Sequence, residues 1–224
     1  MAQGEKLKLL LTGATGLVGQ GVLHEVLLAS DIAKVTVLGR RPTGRTDPRL
    51  EEVHVADLAI LDAFEGRLRG FDACLYCAGV PPFSEPETRY RAITVDITTA
   101  VARTLARLNP GMRFQYVSGA NANASSVIMP LRVKGEVEAA LQRLDLRTTM
   151  LRPGGIQPVH GERSPHRTLA AFYGLAAPFM GLGVKLVPSL MTTTARMGRA
   201  MLELARMPDP PAVVENAKIN ELGG

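Results

Sequence analysis

The sequence has few cysteines that could cross-link the chain and few aromatic residues that could stack on a flat ligand. Among its 224 residues there are two cysteines, no tryptophan and only 4% aromatic residues. Two cysteines exclude a disulfide-built fold, and a chain of this length can bury a core without one. Sparse aromatic residues argue against single-stranded nucleic-acid binding, which uses aromatic side chains that stack on bases. The apolar content of 46% excludes global disorder.

The two cysteines, Cys74 and Cys77, form a C-x-x-C pair that would suit a redox centre or half of a zinc site. They lie in the apolar run 73–78, however, which is typical of a buried strand. Residues three apart on a strand face opposite sides, about 10 Å apart, beyond the reach of a disulfide. Because no second Cys/His cluster is visible, we predict no metal site and two core cysteines in a reducing compartment.

Long hydrophobic runs are also lacking. The run at 9–11 is too short for a signal-peptide core. The uncharged segment 168–184 is interrupted by glycine and proline and is at the lower length limit of a membrane span. We therefore expect no transmembrane segment and a cytoplasmic location. This segment is predicted to cover a pocket or to face a second subunit in a homodimer, with a membrane contact as the alternative.

Acidic residues are outnumbered by basic ones, and the net charge is +5. Such an excess allows an anionic partner: a nucleic acid, a membrane surface or a phosphate-bearing ligand. The basic residues are scattered, and no run is longer than Arg40-Arg41. A solvated surface of mixed charge explains this better than a nucleic-acid footprint, so we expect no nucleic-acid partner.

Apolar runs of strand length alternate with helical patterns through most of the chain. The predicted strands are 7–11, 34–39, 52–56, 71–78, 113–117 and 146–151, and the predicted helices are 17–28, 93–108, 131–144 and 193–205. Strands separated by helices imply right-handed crossovers and a parallel sheet. We predict a doubly wound α/β fold, with a nucleotide-binding part at 1–155 and a small substrate-covering region at 156–224 that ends in an extended tail at 212–219.

A glycine-rich turn lies between the first predicted strand and helix. Residues 12–19 carry the pattern G-x-x-G-x-x-G. Glycine permits the tight turn and the close approach of a diphosphate, while the helix N-terminus presents free N–H groups to that anion. An ordinary tight turn is the alternative, but the flanking strand and helix favour nucleotide binding. The candidate cofactor residues here are Gly13, Thr15, Gly16, Leu17, Val18 and Gly19.

The end of the second predicted strand indicates which dinucleotide is bound. Proteins that bind NAD usually place an acidic residue there for the ribose hydroxyls, whereas this chain has Arg40 and Arg41. Guanidinium groups bind a 2′-phosphate through charge-assisted hydrogen bonds. The alternative is a pair of solvated arginines. We therefore predict NADP(H) rather than NAD(H) as the cofactor.

Several motifs occur in an order that resembles the short-chain dehydrogenases/reductases. They are the turn at 12–19, Arg40-Arg41, Ala56-Asp57-Leu58, Cys77-Ala78-Gly79, Val117-Ser118, Lys134-Gly135-Glu136 and Leu151-Arg152-Pro153-Gly154. Over about residues 6–206 the chain is most similar to the atypical branch with NAD(P)H-binding, NmrA-like and Tat-interacting-protein-like oxidoreductases. The resemblance implies contacts to adenine from Asp57 and Leu58, to the adenosine ribose from Cys77, Ala78 and Gly79, and to nicotinamide from Pro153, Gly154 and Ile156. For 77–79, a strand entering a turn is the alternative.

The same resemblance implies a catalytic tyrosine that this sequence lacks. The family's chemistry uses a serine, a lysine and a tyrosine four residues before the lysine, so that the lysine lowers the tyrosine pKa. Ser118 and Lys134 fit the first two positions and are our candidate catalytic residues, with Lys134 also holding the cofactor ribose. The tyrosine position holds Pro130, which suits the first turn of a helix. Asp96 also stands where extended relatives usually carry Asn.

Two functions remain open at this point. The first is an NADP-dependent oxidoreductase or epimerase-like enzyme acting on a small carbonyl substrate, with a proton from water, the substrate or an unusual residue. Tyr173, His160 and His166 are candidates for that residue, although a surface or core role suits each better; His24 and His54 are poorer candidates. The second is a catalytically silent NADP(H)-binding redox sensor or regulatory protein that acts on a partner protein.

Overall fold

The structure, a computed structural model, describes residues 6–162 and 189–224. Its strands are β1 (Leu7–Thr12), β2 (Ile32–Gly39), β3 (Leu50–His54), β4 (Ala73–Tyr76), β5 (Arg113–Val117), β6 (Arg147–Arg152), β7 (Gly155–Gln157), β8 (Met191–Thr193) and β9 (Val213–Glu215). Seven of them form one parallel sheet in the order β3-β2-β1-β4-β5-β6-β9, and β7 pairs with β8 separately. The strand order reverses between β1 and β4, which confirms the predicted doubly wound α/β fold.

Helices cover both faces of the sheet. Their bounds are α1 (Leu17–Leu28), α2 (Glu87–Arg91), α3 (Thr98–Leu108), α4 (Met129–Leu141), α5 (Thr194–Arg206) and α6 (Asn216–Gly223), with a 3₁₀ turn at Asp62–Arg67 and a π-helical segment, Ala92–Ile97, joining α2 to α3. Alternate residues of β1 enter opposite cores. Leu9 and Leu11 pack with α1, α5 and α6 on one face, whereas Leu10 packs with α3 and α4 on the other.

Two glycines let α1 and α5 approach each other closely. A Cβ atom on Gly21 would lie 2.5 Å from the Cβ of Thr194, and one on Gly198 would lie 2.7 Å from the Cγ of Glu25. Atoms at these distances overlap, so the two helices can pack this way only where both side chains are absent. Helix α5 is thereby held directly against the helix that follows the glycine-rich turn.

The structure departs from the predicted elements chiefly near the C-terminal end. The predicted extended tail at 212–219 is wrong beyond Glu215, because α6 begins at Asn216 and buries Ile219 against the core. The predicted helix at 93–108 is interrupted by the π-helical segment. Helix α4 begins two residues earlier than predicted and has Pro130 in its first turn, as expected.

Two further expectations can be compared with the structure. Cys74 and Cys77 are free thiols that pack into the cores on opposite faces of the sheet, which confirms their interpretation as core residues. Among the helices of residues 6–162 and 189–224, none is both long enough and apolar enough to cross a bilayer. The uncharged segment 168–184 lies outside the described residues.

Candidate active site

The topology gathers the predicted cofactor residues at one edge of the sheet. The glycine-rich turn follows β1, the arginine pair follows β2, and the motifs at 57–58, 77–79, 118 and 153–156 follow β3, β4, β5 and β6. All these strands are parallel, so their carboxyl ends meet at the same edge. Ligands of doubly wound sheets bind at this edge, beside the reversal of strand order, here between β1 and β4.

The glycine-rich turn is shaped by the close approach of β1 and β4. Gly13 has a φ of +70°, and a Cβ atom there would lie 2.5 Å from the backbone of Cys77 and Ala78. On Gly19 a Cβ atom would lie 2.1 Å from the carbonyl oxygen of Gly13. The spacing of these glycines is therefore required by packing within the protein, before any ligand is considered.

The N-terminus of α1 is open to an anion. Gly16 caps the helix without a side-chain hydrogen bond, and no acidic residue stands in the first turn. Thr15, Leu17 and Val18 are half-buried beside it. The free N–H groups and the positive end of the helix dipole therefore face the carboxyl edge of the sheet without a competing negative charge.

The arginine pair after β2 is exposed and available. Neither Arg40 nor Arg41 makes a side-chain hydrogen bond or ion pair with a described residue. A nearby groove of about 340 Å³ runs between the glycine-rich turn and the loop after β2, and it is lined by Ala14, Thr15, Gln20, Leu23, Thr43 and Arg45. Sequence reasoning missed Arg45 as a third cation here, although the spacing R-R-x-x-x-R was visible.

The motifs after β3 and β4 make contacts within the protein. Asp57 is exposed, and its Oδ1 accepts a hydrogen bond from the N–H of Ala59 at 2.9 Å, while Leu58 packs against the core. Burial raises the pKa of Cys77 to about 12, so this thiol stays protonated at neutral pH.

The residues that follow Cys77 connect two strands. Ala78 donates its N–H to the Thr12 hydroxyl at 3.3 Å, which links the ends of β1 and β4, and the exposed Gly79 follows.

The Ser118 hydroxyl is engaged in a buried network. It donates a hydrogen bond to Oε1 of Glu138 at 2.6 Å. The Glu138 carboxylate also accepts hydrogen bonds from Nε and Nη2 of Arg152, at 3.0 and 2.6 Å. A third nitrogen of Arg152 reaches Glu215 at 3.0 Å. Glu138 and Glu215 raise the pKa of Arg152 above its usual range. Ser118 thus ends β5 as predicted, but its proton points towards Glu138.

Lys134 lies beside the end of β5. Its Nζ donates to the carbonyl oxygen of Val117 at 3.0 Å and stands 4.8 Å from the centre of the Tyr116 ring. Burial lowers the pKa of Lys134 to about 8, while the nearby Glu138 carboxylate opposes the shift. Pro130, one helical turn earlier, is buried and offers no proton. Position 130 therefore offers no phenol, and the Tyr116 phenol beside Lys134 is buried, which raises its pKa.

The segment after β6 is fixed by backbone contacts. Gly154 donates its N–H to Oδ1 of Asn216 at 2.9 Å, and a Cβ atom on Gly154 would lie 2.1 Å from the carbonyl oxygen of Leu190. Ile156 pairs with Thr192, and the buried Pro153 accepts a hydrogen bond from Ala120 at 2.9 Å. The segments 154–157 and 190–193 are thus in contact beside the predicted nicotinamide position.

Of the alternative proton donors in the described part of the chain, His24, His54 and His160, none makes a hydrogen bond or ion pair with Ser118 or Lys134. His160 lies against α1, where its ring centre is 4.1 Å from that of His24. His54 is exposed and pairs with Glu52. Asp96 is exposed in the π-helical segment. Tyr173 and His166 lie outside the described residues.

The sequence is similar to a known protein family and to individual proteins. A profile of the NAD dependent epimerase/dehydratase family matches residues 9–129, more than half of the chain. Protein HTATIP2 of Rattus norvegicus is 28% identical over 222 residues, which cover 95% of this chain and 88% of that protein. The Leucinostatins biosynthesis cluster protein T of Purpureocillium lilacinum is 28% identical over 162 residues, which cover 67% of this chain and 58% of that protein.

The fold also matches solved structures. The Bordetella bronchiseptica enzyme WbmF, solved in complex with NAD⁺, superimposes with a TM-score of 0.68 at 12% identity, covering 96% of this chain and 77% of that one. At such low identity the match shows the fold alone. Together with the family profile, it confirms the resemblance to the short-chain dehydrogenases/reductases. The chain belongs to the NAD dependent epimerase/dehydratase family.

Proposed function

We propose that the protein is an NADP(H)-dependent oxidoreductase, or a related epimerase-like enzyme, that acts on a small carbonyl compound. The observation that carries the proposal is the glycine-rich turn at the switch point (the cradle, residues 13–19), flanked by two arginines that have no partner among the described residues. NADP(H), when bound, supplies or accepts the hydride. Everything else that the reaction needs must come from this chain, the substrate or water.

The residues present fit a dinucleotide. Gly13 and Gly19 can form the tight turn only because they lack side chains, and the uncapped α1 then presents N–H groups to a diphosphate. The guanidinium groups after β2, which pair with nothing in residues 6–162 and 189–224, suit a 2′-phosphate, which a carboxylate there would repel. Lys134, with its ammonium already half-buried at the end of β5, would hold the nicotinamide ribose by donating hydrogen bonds.

The proton that accompanies the hydride needs another source than a tyrosine. Pro130 has no ionisable group, and the Ser118 hydroxyl is directed at Glu138. We assign Lys134 to positioning the cofactor and Ser118 to the site wall, where it could turn to a substrate oxygen only by leaving Glu138. Water or the substrate then supplies the proton, and the rate would lack the enhancement of about 10²–10⁴ that a positioned general acid gives.

Cofactor preference gives the first prediction. We expect replacement of both Arg40 and Arg41 by alanine to weaken NADPH binding about 100-fold, because each charged hydrogen bond contributes roughly 1.5–3 kcal/mol. NADH binding should stay within about twofold, since NADH has no 2′-phosphate for the guanidinium groups to bind. Fluorescence titration with both cofactors measures the two affinities.

The matched control removes the same charge elsewhere. Arg103 and Arg143 are exposed residues on α3 and just after α4, so their double alanine variant should leave both affinities unchanged. Equal losses of NADPH and NADH binding in the Arg40/Arg41 variant would show that the pair does not read the 2′-phosphate.

A second function has a specific observation in its favour. Pro130 is buried in the first turn of α4 and the Ser118 hydroxyl is committed to Glu138, so two of the family's three catalytic groups are absent or engaged. A catalytically silent NADP(H)-binding protein, sensing redox state and acting on a partner protein, is consistent with that. It predicts tight cofactor binding with no turnover of any carbonyl compound.

One assay separates the two functions. The wild-type protein and the variants Pro130→Tyr and Pro130→Phe are tested for NADPH oxidation with a panel of aldehydes, ketones and quinones. For an enzyme we expect turnover by the wild type and a rate increase of about 10²-fold in Pro130→Tyr, because a phenol four residues before Lys134 restores a general acid. Pro130→Phe adds the ring without the hydroxyl and should show no increase.

The outcomes are distinct. Wild-type silence across the panel, with NADPH shown to be bound, would contradict the enzymatic proposal. Activity that appears only in Pro130→Tyr would support the silent binding protein. Turnover by the wild type removes the reason for considering a sensor.

A further inference from the structure

Two histidines and a glutamate meet on the flank of α1, away from the glycine-rich turn. His24 and Glu25 are neighbours in α1, and His160 follows β7. One ligand atom from each of the three lies within 4.8 Å of the other two. His24 is seven residues into the helix from Leu17, about 10 Å along its axis, so the cluster is separate from the cofactor cradle.

The geometry within this cluster is close to that of metal ligands. Nε2 of His160 lies 3.3 Å from Oε1 of Glu25. In a tetrahedral zinc site with bonds of about 2.0–2.1 Å, neighbouring ligand atoms are roughly 3.3 Å apart. The ligand atoms of the three residues lie within 4.8 Å of one another, so side-chain rotations would have to shorten the longest of these separations by up to about 1.5 Å to place one ion between them.

The Glu25 carboxylate is buried, and its two oxygens are differently placed. Oε1 faces His160, whereas Oε2 lies 3.7 Å from Nη1 of Arg199. Glu25 is only 7% exposed, and the cost of burying its charge calls for close positive partners. A loose contact with Arg199 and the His160 imidazole at 3.3 Å supply part of that compensation, and a cation bound between Glu25 and His160 would supply more.

The loop that carries His160 is held in place by its own hydrogen bonds. Oε2 of the buried Glu162 accepts the N–H groups of Val159 at 2.9 Å and His160 at 2.7 Å. This turn presents the His160 ring to α1 without help from any ligand. A site whose ligands are already oriented binds a metal with less loss of conformational entropy.

We propose that His24, Glu25 and His160 bind a divalent transition-metal ion, with zinc as the best fit. Two imidazoles and one carboxylate are the ligands that zinc and its neighbours prefer, while Mg²⁺ and Ca²⁺ prefer oxygen ligands alone. His160 is exposed, so a water molecule takes the fourth position. The ion joins the loop after β7 to α1. This site lies outside the proposed cofactor chemistry and does not depend on it.

Zinc titration of the tag-free protein by calorimetry tests the proposal. We expect one equivalent of Zn²⁺ to bind, no detectable binding of Mg²⁺, and a weakening of at least about tenfold in each of His24→Ala and His160→Ala. Added zinc should raise the melting temperature of the wild type and EDTA should reverse the rise. A cooperative melting transition of the metal-free variants shows that they remain folded.

The chain offers a matched control. His54 pairs with Glu52 at the same 3.3 Å but has no second histidine in that pair, so His54→Ala should leave zinc binding unchanged. X-ray absorption of the zinc-loaded wild type, which needs no variant, should show two imidazole ligands at about 2.0–2.1 Å. Absence of zinc binding, an equal loss in His54→Ala, or a spectrum without imidazole would each overturn the proposal.

Discussion

Replacing Gly13 by alanine should weaken dinucleotide binding at least about 100-fold, because the turn can accept a side chain only by moving. A Cβ atom there would lie 2.5 Å from the backbone of Cys77 and Ala78, and φ is +70°. The clash separates the ends of β1 and β4, and the backbone strain adds to it, for a total loss of about 2–4 kcal/mol in the free energy of unfolding. Cofactor titration and urea denaturation measure the two effects.

Gly111 provides the matched control for this variant. Its φ is +76°, but a Cβ atom there would meet nothing within 4 Å, and it precedes β5 at the opposite edge of the sheet. Gly111→Ala should therefore lose only the conformational cost of about 1–2 kcal/mol and keep wild-type affinity for the cofactor. Equal affinity losses in both variants would mean that global stability, and not the shape of the cradle, controls binding.

The second large effect concerns stability. Glu138→Ala should lower the free energy of unfolding by about 3 kcal/mol, because it leaves Arg152 without its main partner and the Ser118 hydroxyl without an acceptor. For a chain of this size the melting temperature would fall by roughly 10 °C. Differential scanning calorimetry measures this directly.

Two variants isolate the cause. Glu65 makes an exposed ion pair with Arg107, so Glu65→Ala should hardly change the melting temperature. Ser118→Ala keeps the Glu138–Arg152 pair and should cost about 1 kcal/mol. If Ser118→Ala also lowers kcat/KM by much more than this stability loss explains, the hydroxyl contacts substrate. A Glu138→Ala variant as stable as Glu65→Ala would contradict the importance of the network.

The strand, glycine-rich turn and helix at residues 7–28 could be predicted from the sequence because their signals are local. Three glycines within seven residues, between a strand and a helix, define a backbone shape that needs no distant contact to be recognised. The arginine pair is equally local, since it follows directly from the end of a strand. The parallel order of the strands follows from the alternation with helices, and the structure confirms it.

The features that were missed depend on distant contacts. Glu138 looks like an ordinary helix residue until Ser118 and Arg152 are placed on either side of it. His24 and His160 are far apart in the chain, so no spacing rule for metal ligands finds them. Helix α6 was predicted as extended because Val213 and Val214 favour a strand; the following residues become helical as Ile219 is buried against the core.

The close crossing of α1 and α5 also has a consequence for the newborn chain on the ribosome. Helix α1 is synthesised well before α5, so the surface that shelters Gly21 and its apolar neighbours arrives only with Gly198. At usual rates of synthesis this delay is on the order of 10 s. During that time the side of α1 that packs against α5 has no native cover, and it stays exposed to solvent until α5 has been synthesised.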